Sequence, residues 1–330
     1  MTTTAQHVDS IQEIASLPNW SESLVIEVHD PATGIAAWAH FSRMPVAPQI
    51  WEGDLVVFDE DGTLLVSRTF SRSTRADEAG GILRMRCIEP GRQWSLSFDS
   101  MATRVSSAES LAAPVGDGDV EHVAVELLFE GIHPFWSAGG VMHSQSWGNG
   151  HVEQAGRITG HVVVNGRRRA IDGHGFRDHS YGPRDYAKMI GDTWVNGVFP
   201  DGTALIALAV WADPTGSVPT HLGFYWDGQT MHDLEHSDLT LLASDDGSPD
   251  RQRFTATYSF GAVEAEIGVE FEKTHRMGFT LQTPVGMSLG ANPSRPELAL
   301  VVESPVILRR GDQTAYGWCE QSRRRSELPG

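Results

Sequence analysis

Between Ile171 and Tyr186 the chain reads IDGHGFRDHSYGPRDY, which brings His174, Arg177, Asp178, His179, Tyr181, Arg184 and Asp185 into one stretch. A carboxylic acid kept protonated by apolar surroundings can deliver a proton, an imidazole can orient it or activate a water, and guanidinium groups can hold a polar substituent. If Phe176 to Ser180 is extended, Arg177 and His179 share one face and Asp178 and Ser180 the other. Which pair turns inward is open at this stage. Gly173, Gly175 and Gly182 bracket the segment and permit sharp bends or close backbone approach. The competing reading is an Arg/Asp ion-pair network that clasps two folding units together, since buried charges are paired and such networks perturb titration without catalysing anything.

Other motifs carry less. His232-Asp-Leu-Glu-His236 has the H-x-x-E-H spacing of an inverted zincin, but it follows the Asp227-Gly228 turn and runs into a strand-like stretch, so exposed loop histidines are expected. His143, His151, His174 and His179 would have to converge in space to bind a metal, and none is expected. No dinucleotide fingerprint or phosphate-binding GK[ST] loop is present, and there is no G-x-S-x-G elbow. Ser180 beside His179 is not a triad, because neighbours on a strand cannot aim at each other. The aromatic group His133-Pro-Phe-Trp136 with Trp147, and Trp194, Trp211, Tyr225 and Trp226, either line a ligand cavity or fill cores. His221 and Glu303 read as satisfied polar groups in apolar surroundings.

The elements that must position these residues are strands. Val263, Ala265, Ile267, Val269 and Phe271 alternate with Glu264, Glu266, Glu270 and Glu272, a period of two that would scatter around a helix. Val123, Val125, Leu127 and Phe129 repeat the pattern, as do Ala204, Ile206, Leu208 and Val210. Asp61-Gly62, Asn165-Gly166, Asp201-Gly202 and Asp227-Gly228 are dipeptides suited to type I′ hairpins, so consecutive strands pair antiparallel. A sandwich or an up-and-down barrel follows, with barrels favoured because closure removes edges. Helix signal is confined to the start, where Asp9 would cap a short helix striped by Ile11, Ile14 and Leu17 and stopped before Pro18. A Gly- and Ser-rich interruption near 140–155 suggests a boundary, giving domains 1–145 and 146–330 with the RDHSYGPR segment in the second. The passages Phe58 to Thr63 and Phe199 to Thr203 hint at duplication.

Composition narrows the partners. The 330 residues include 25 Lys and Arg against 43 Asp and Glu, a net charge of −18 that opposes a phosphate backbone or an anionic membrane surface. With 40 % apolar residues a real core is expected. The 34 glycines favour tight turns over long helices. No run approaches the roughly 20 apolar residues of a bilayer span, and the polar N-terminus lacks a secretory layout, so a cytoplasmic protein is expected. Cys87 and Cys319 are too few for a disulfide framework, although a single bridge between them stays open.

The run Gly175-Phe-Arg-Asp-His-Ser-Tyr-Gly-Pro-Arg184, with His151-Val-Glu-Gln154 and Gly160-His-Val-Val-Val-Asn-Gly166 before it, resembles the GxRDHSWGxR-type signature of the carotenoid 1,2-hydratase / AttH-like family and its uncharacterised relatives. Pro18 to Glu22, Pro31 to Ile35 and Gly317 to Glu320 extend the resemblance over most of the chain. Tyr181 stands where the signature usually has Trp. The resemblance implies an all-β protein of two consecutive lipocalin-like antiparallel barrels with a short N-terminal helix. It further implies water addition to an alkene, or its reversal, on a small hydrophobic terpenoid- or steroid-like molecule without an organic cofactor. Cyclisation or isomerisation, or simple lipid carriage, are the alternatives. On this reading Asp178 is the proton donor, with His179 and Tyr181 completing the catalytic group. Arg177, Arg184, His151, Glu153, Trp136 and Trp194 bind substrate. Neither a nucleic-acid nor a membrane-spanning partner is implied, and the oligomeric state is not read.

Overall fold

The computed structural model describes residues 5–13, 19–43, 46–138, 150–186, 190–211, 219–239, 253–261, 267–282, 286–324 and 326. The chain is nearly all-β and forms two closed, eight-stranded antiparallel barrels, one after the other. It divides into two compact units, residues 1–106 with 116–185 and residues 107–115 with 186–330.

The first unit contains α1 (Ala5–Val8), β1 (Trp20–His29), β2 (Ala36–Arg43), β3 (Ile50–Phe58), β4 (Thr63–Arg72), β5 (Glu78–Gly80), β6 (Arg84–Glu89), β7 (Gln93–Ser106), β8 (Val120–Gly131), β9 (Trp136–Ser137), β10 (Gly150–Val164) and β11 (Arg167–Pro183). Its barrel runs β1-β2-β3-β4-β7-β8-β10-β11, closed where β1 pairs with β11 and β4 with β7. The second unit contains α2 (Ser107–Ala112), β12 (Gly191–Val198), β13 (Ala204–Trp211), β14 (Thr220–Trp226), β15 (Met231–Ser237), β16 (Arg253–Phe260), β17 (Ile267–Lys273), β18 (Met277–Leu281), β19 (Met287–Leu289), β20 (Ala299–Arg310) and β21 (Gln313–Arg324). Here β12 through β17 meander, β20 and β21 follow, and the β12–β21 and β17–β20 pairings close the ring.

The period-two reading holds where polar residues mark one face. Val123, Val125, Leu127 and Phe129 all enter the first core, and Val269 and Phe271 enter the second; residues 263–266 of that alternation lie outside the described residues. On β13 the core receives Leu205, Ala207, Ala209 and Trp211, the opposite set from the one singled out by alternation. This strand is apolar on both sides, so period alone could not choose a face. All four expected turns join paired strands, but only Asn165-Gly166 has positive φ at both positions, 49° and 79°, as type I′ requires. The turns after Phe58 and Phe199 share their chemistry: Thr63 N–H donates to Asp61 over 2.9 Å and Thr203 N–H to Asp201 over 3.0 Å. They join the third and fourth strands of one barrel but the first and second of the other, so the match reflects turn chemistry rather than equivalent position.

Two expectations are corrected. The division falls after Asp185 rather than at 145, because β10 and β11 complete the first barrel against β8 and β1; the RDHSYGPR segment therefore belongs to the first unit. The N-terminal helix is one turn, Ala5–Val8, and Asp9 does not cap a following helix. The Asp9 carboxylate accepts instead from the Gly91 N–H and the Trp94 indole, while Ile14, Leu17 and Pro18 lie outside the described residues. Cys87 and Cys319 are buried and remain thiols, and burial pushes the Cys87 thiol up to about 12. No helix among the described residues is long and apolar enough to cross a membrane.

Candidate active site on the outward face of the first barrel

Strand β11 carries two different sets of chemistry on its two faces. Arg177 and His179 pair in register with Ile26 and Leu24 of β1, both core residues, so they point into the barrel. Asp178 pairs with Val25 on one side and Glu153 of β10 on the other, so it points away from that core. The strands can run this close because a glycine faces the core one step earlier: a Cβ at Gly175 would stand 1.8 Å from the Glu27 carbonyl oxygen.

The inward set is saturated. The Arg177 guanidinium, 1 % exposed, meets Asp9 at 2.9 Å, donates to Gln154 Oε1 at 2.9 Å and sits over the Trp94 ring at 5.2 Å. His179 Nδ1 lies 2.7 Å from the Val8 carbonyl and Nε2 lies 2.8 Å from Glu22 Oε1. Glu22 in turn accepts from Arg43 Nε at 2.6 Å and from the Gln12 N–H at 2.8 Å. Arg177 and His179 thus fasten residues 8–12 to the barrel. Tyr181 packs 5.4 Å from the His179 ring, and burial, reinforced by the Glu22 charge, holds its phenol above the ordinary range.

The outward set is a compact acid–imidazole group. His151 Nε2 lies 2.7 Å from Glu153 Oε1, and His151 Nδ1 lies 2.6 Å from the Ser180 hydroxyl. Ligand atoms of His151, Glu153 and Asp178 all fall within 4.8 Å of one another, the only such metal-capable set among the described residues. Both imidazole nitrogens are already in these short contacts, so a cation would have to displace one of them. Glu153 and Ser180 are 2 % exposed, and Trp136, 9 % exposed, pairs with Glu153 through β9. One register row across six strands carries Glu153, Asp178, Val25, His40, Asp54 and Arg68. His40 stacks on Trp38 at 5.7 Å. Burial, with the Arg184 and Arg68 charges, lowers its pKa to about 3, so it is neutral at pH 7. Arg68 grips Asp54 with two bonds of 2.7 and 3.0 Å.

Of the residues singled out from the sequence, the fold gathers Asp178, Glu153, His151 and Trp136, with Arg184 close enough for its charge to act on His40. It turns Arg177, His179 and Tyr181 to the other face and puts Trp194 on β12 of the second unit. Ser180 and His40 were missed as site residues. A signal for Ser180 existed, because a two-residue turn at Asn165-Gly166 fixes every β10–β11 pair, including His151↔Ser180. His232 to His236 lie on a strand with a register shift, not on one helix face, and His232 is held by Asp227 at 2.8 Å. Trp147 and His143 lie outside the described residues.

Beneath the site, His133 Nε2 accepts from the Ala155 N–H at 3.1 Å, and its Nδ1, 2.6 Å from the Pro134 carbonyl, must carry the proton. Burial lowers its pKa to about 4. The unfolded chain therefore binds a proton near pH 6.5 that the folded chain refuses, so stability falls as pH drops from 6.5 towards 4, by about 1.4 kcal/mol per pH unit. Urea unfolding at pH 7, 6 and 5 is expected to show this contribution on top of a like one from His40, whose pKa is lowered to about 3, and His133→Gln to remove the His133 share alone.

Two closed eight-stranded meanders in tandem, the first bearing a buried acid–imidazole group on its outer wall, define a two-barrel β protein. The chain belongs to DUF7064, a domain of unknown function, whose family model matches residues 6–325. No curated protein matches it in sequence. Among solved structures it is similar to an AttH candidate from Nitrosomonas europaea, with TM-score 0.61 and 12 % identity over 92 % of this chain and 93 % of that one. It is also similar to CghA crystallised with Sch210972, with TM-score 0.57 and 10 % identity over 92 % and 88 %. Kievitone hydratase from Nectria haematococca matches with TM-score 0.56 and 13 % identity over 97 % and 95 %. These identities establish a shared fold.

Proposed function

We propose that the protein is a hydratase or dehydratase of a small, hydrophobic, terpenoid- or steroid-like alkene or alcohol, a reading that assigns it the chemistry of the AttH-like and hydratase relatives. The observation that carries it is the clustering of Asp178, Glu153 and His151 within 4.8 Å on a largely buried face. Hydration of an isolated alkene needs a strong acid, shelter for a cationic carbon and a base for the attacking water. Asp178 gives its proton to one alkene carbon, and the π electrons form the new C–H bond. Water then attacks the neighbouring carbon and passes a proton to His151, whose other nitrogen is backed by Glu153 or Ser180. The Trp136 ring face is worth about 0.5–2 kcal/mol to the cation. His179, Tyr181 and Arg177 act only by holding β11 in place. No organic cofactor enters this scheme.

The fold likeness to CghA keeps cyclisation or isomerisation as the second reading, and a lipid carrier as the third. Candidate alkenes and tertiary alcohols incubated in ¹⁸O-labelled water separate them. The proposal expects label in the product alcohol; a rearranged product without label indicates cyclisation or isomerisation, and recovery of unchanged lipid indicates carriage.

A further inference from the structure

The second barrel carries its own buried polar patch, which the reaction above does not use. On β12 and β21 the core takes Val195 and Cys319, a register pair. Asp192, Trp194, Glu320 and Ser322 therefore stand on the other face, where Asp192 is opposite Ser322 and Trp194 opposite Glu320. Asp192 is 5 % exposed. Its amide donates to the Ser322 hydroxyl at 3.1 Å, that hydroxyl donates back to the Asp192 carboxylate, and Glu320 stands close enough for its charge to act on Asp192. Two carboxyl groups this close favour a proton on one of them. Burial, added to the Glu320 charge, raises the Asp192 pKa accordingly.

The neighbouring indole points to a ligand. Trp194, 9 % exposed, has a buried Nε1 with no hydrogen-bond partner among the described residues. A second indole on this face is satisfied, Trp318 Nε1 donating to Glu303 at 2.6 Å. A buried N–H left unpaired is costly, so an orphaned indole invites an acceptor from outside the chain. Leu208 and Val210, opposite Trp194 and Asp192, make the surroundings apolar.

We propose that this patch binds the hydroxyl group of a neutral, mostly apolar molecule, the oxygen accepting from Trp194 and its O–H donating to the Asp192–Glu320 pair. A hydroxyl both donates and accepts, so it satisfies the indole and the carboxyl pair together. A ketone would satisfy only the indole, a carboxylate would be repelled, and a hydrocarbon would leave every polar atom unpaired. The assignment stands whether or not the reaction proposed above is correct.

The test is calorimetric titration of the full chain at pH 7 with linalool, a tertiary alcohol, and myrcene, its dehydrated counterpart. Linalool is expected to bind about tenfold more tightly, the value of one to two net hydrogen bonds. Trp194→Phe and the near-isosteric Glu320→Gln, at a partly exposed position, should each remove most of that preference. Equal affinities, no saturable binding of linalool, or a preference that survives both variants would overturn the proposal.

Discussion

Asp178→Asn is expected to lower the turnover number by about 10²–10⁴-fold, the usual contribution of a placed acid, while the melting temperature barely moves. The amide keeps the size and hydrogen-bonding outline of the carboxyl group but cannot release a proton. Glu153→Gln should act in the same direction, because the carboxylate backing His151 is lost. His179→Gln behaves differently: its ring touches Val8 and Glu22 on the core side, so the variant should lose stability before intrinsic rate. Parallel measurement of turnover number and melting temperature separates the two faces of β11. Rate loss on substitution of His179 with full stability, alongside an active Asp178→Asn, would reverse the assignment.

Arg177→Met is expected to cost about 3–5 kcal/mol of stability, since it strands the buried Asp9 charge. The mechanism is checkable by restoring neutrality. Asp9→Leu on top of Arg177→Met removes the stranded charge and should recover much of the loss, although Gly91 and Trp94 then lose the acceptor that Asp9 provides. Denaturant unfolding of both single variants and the double variant closes the cycle, and additive effects would show that the pair is not the cause.

The strands and hairpins were legible because glycine turns and polar alternation are local signals. The face of β13 was not, because ALIALAVW offers no polar residue to mark the outside. The division of the chain escaped for a related reason. Each barrel closes by pairing its first strand with its last, β1 with β11 and β12 with β21, and nothing local to residue 145 records a contact so distant in sequence. Within the site, period two told that Arg177 and His179 travel together and that Asp178 and Ser180 do likewise. Only the pairing with Leu24 and Ile26 decides which pair faces the core. The partnership of His151 with Ser180 was within reach of the sequence through the Asn165-Gly166 turn. The orphaned indole of Trp194 was not, since it depends on where every neighbouring acceptor lies.

The central claim is that Asp178 hands a proton to a carbon atom from one fixed side. Running the reaction in D₂O and locating deuterium in the product by NMR tests this most directly. The account predicts one solvent deuterium, on the carbon next to the new C–O bond and in a single stereochemical position, with the product signal collapsing in Asp178→Asn. Deuterium absent from that carbon, scrambled between both positions, or introduced equally well by Asp178→Asn would contradict it.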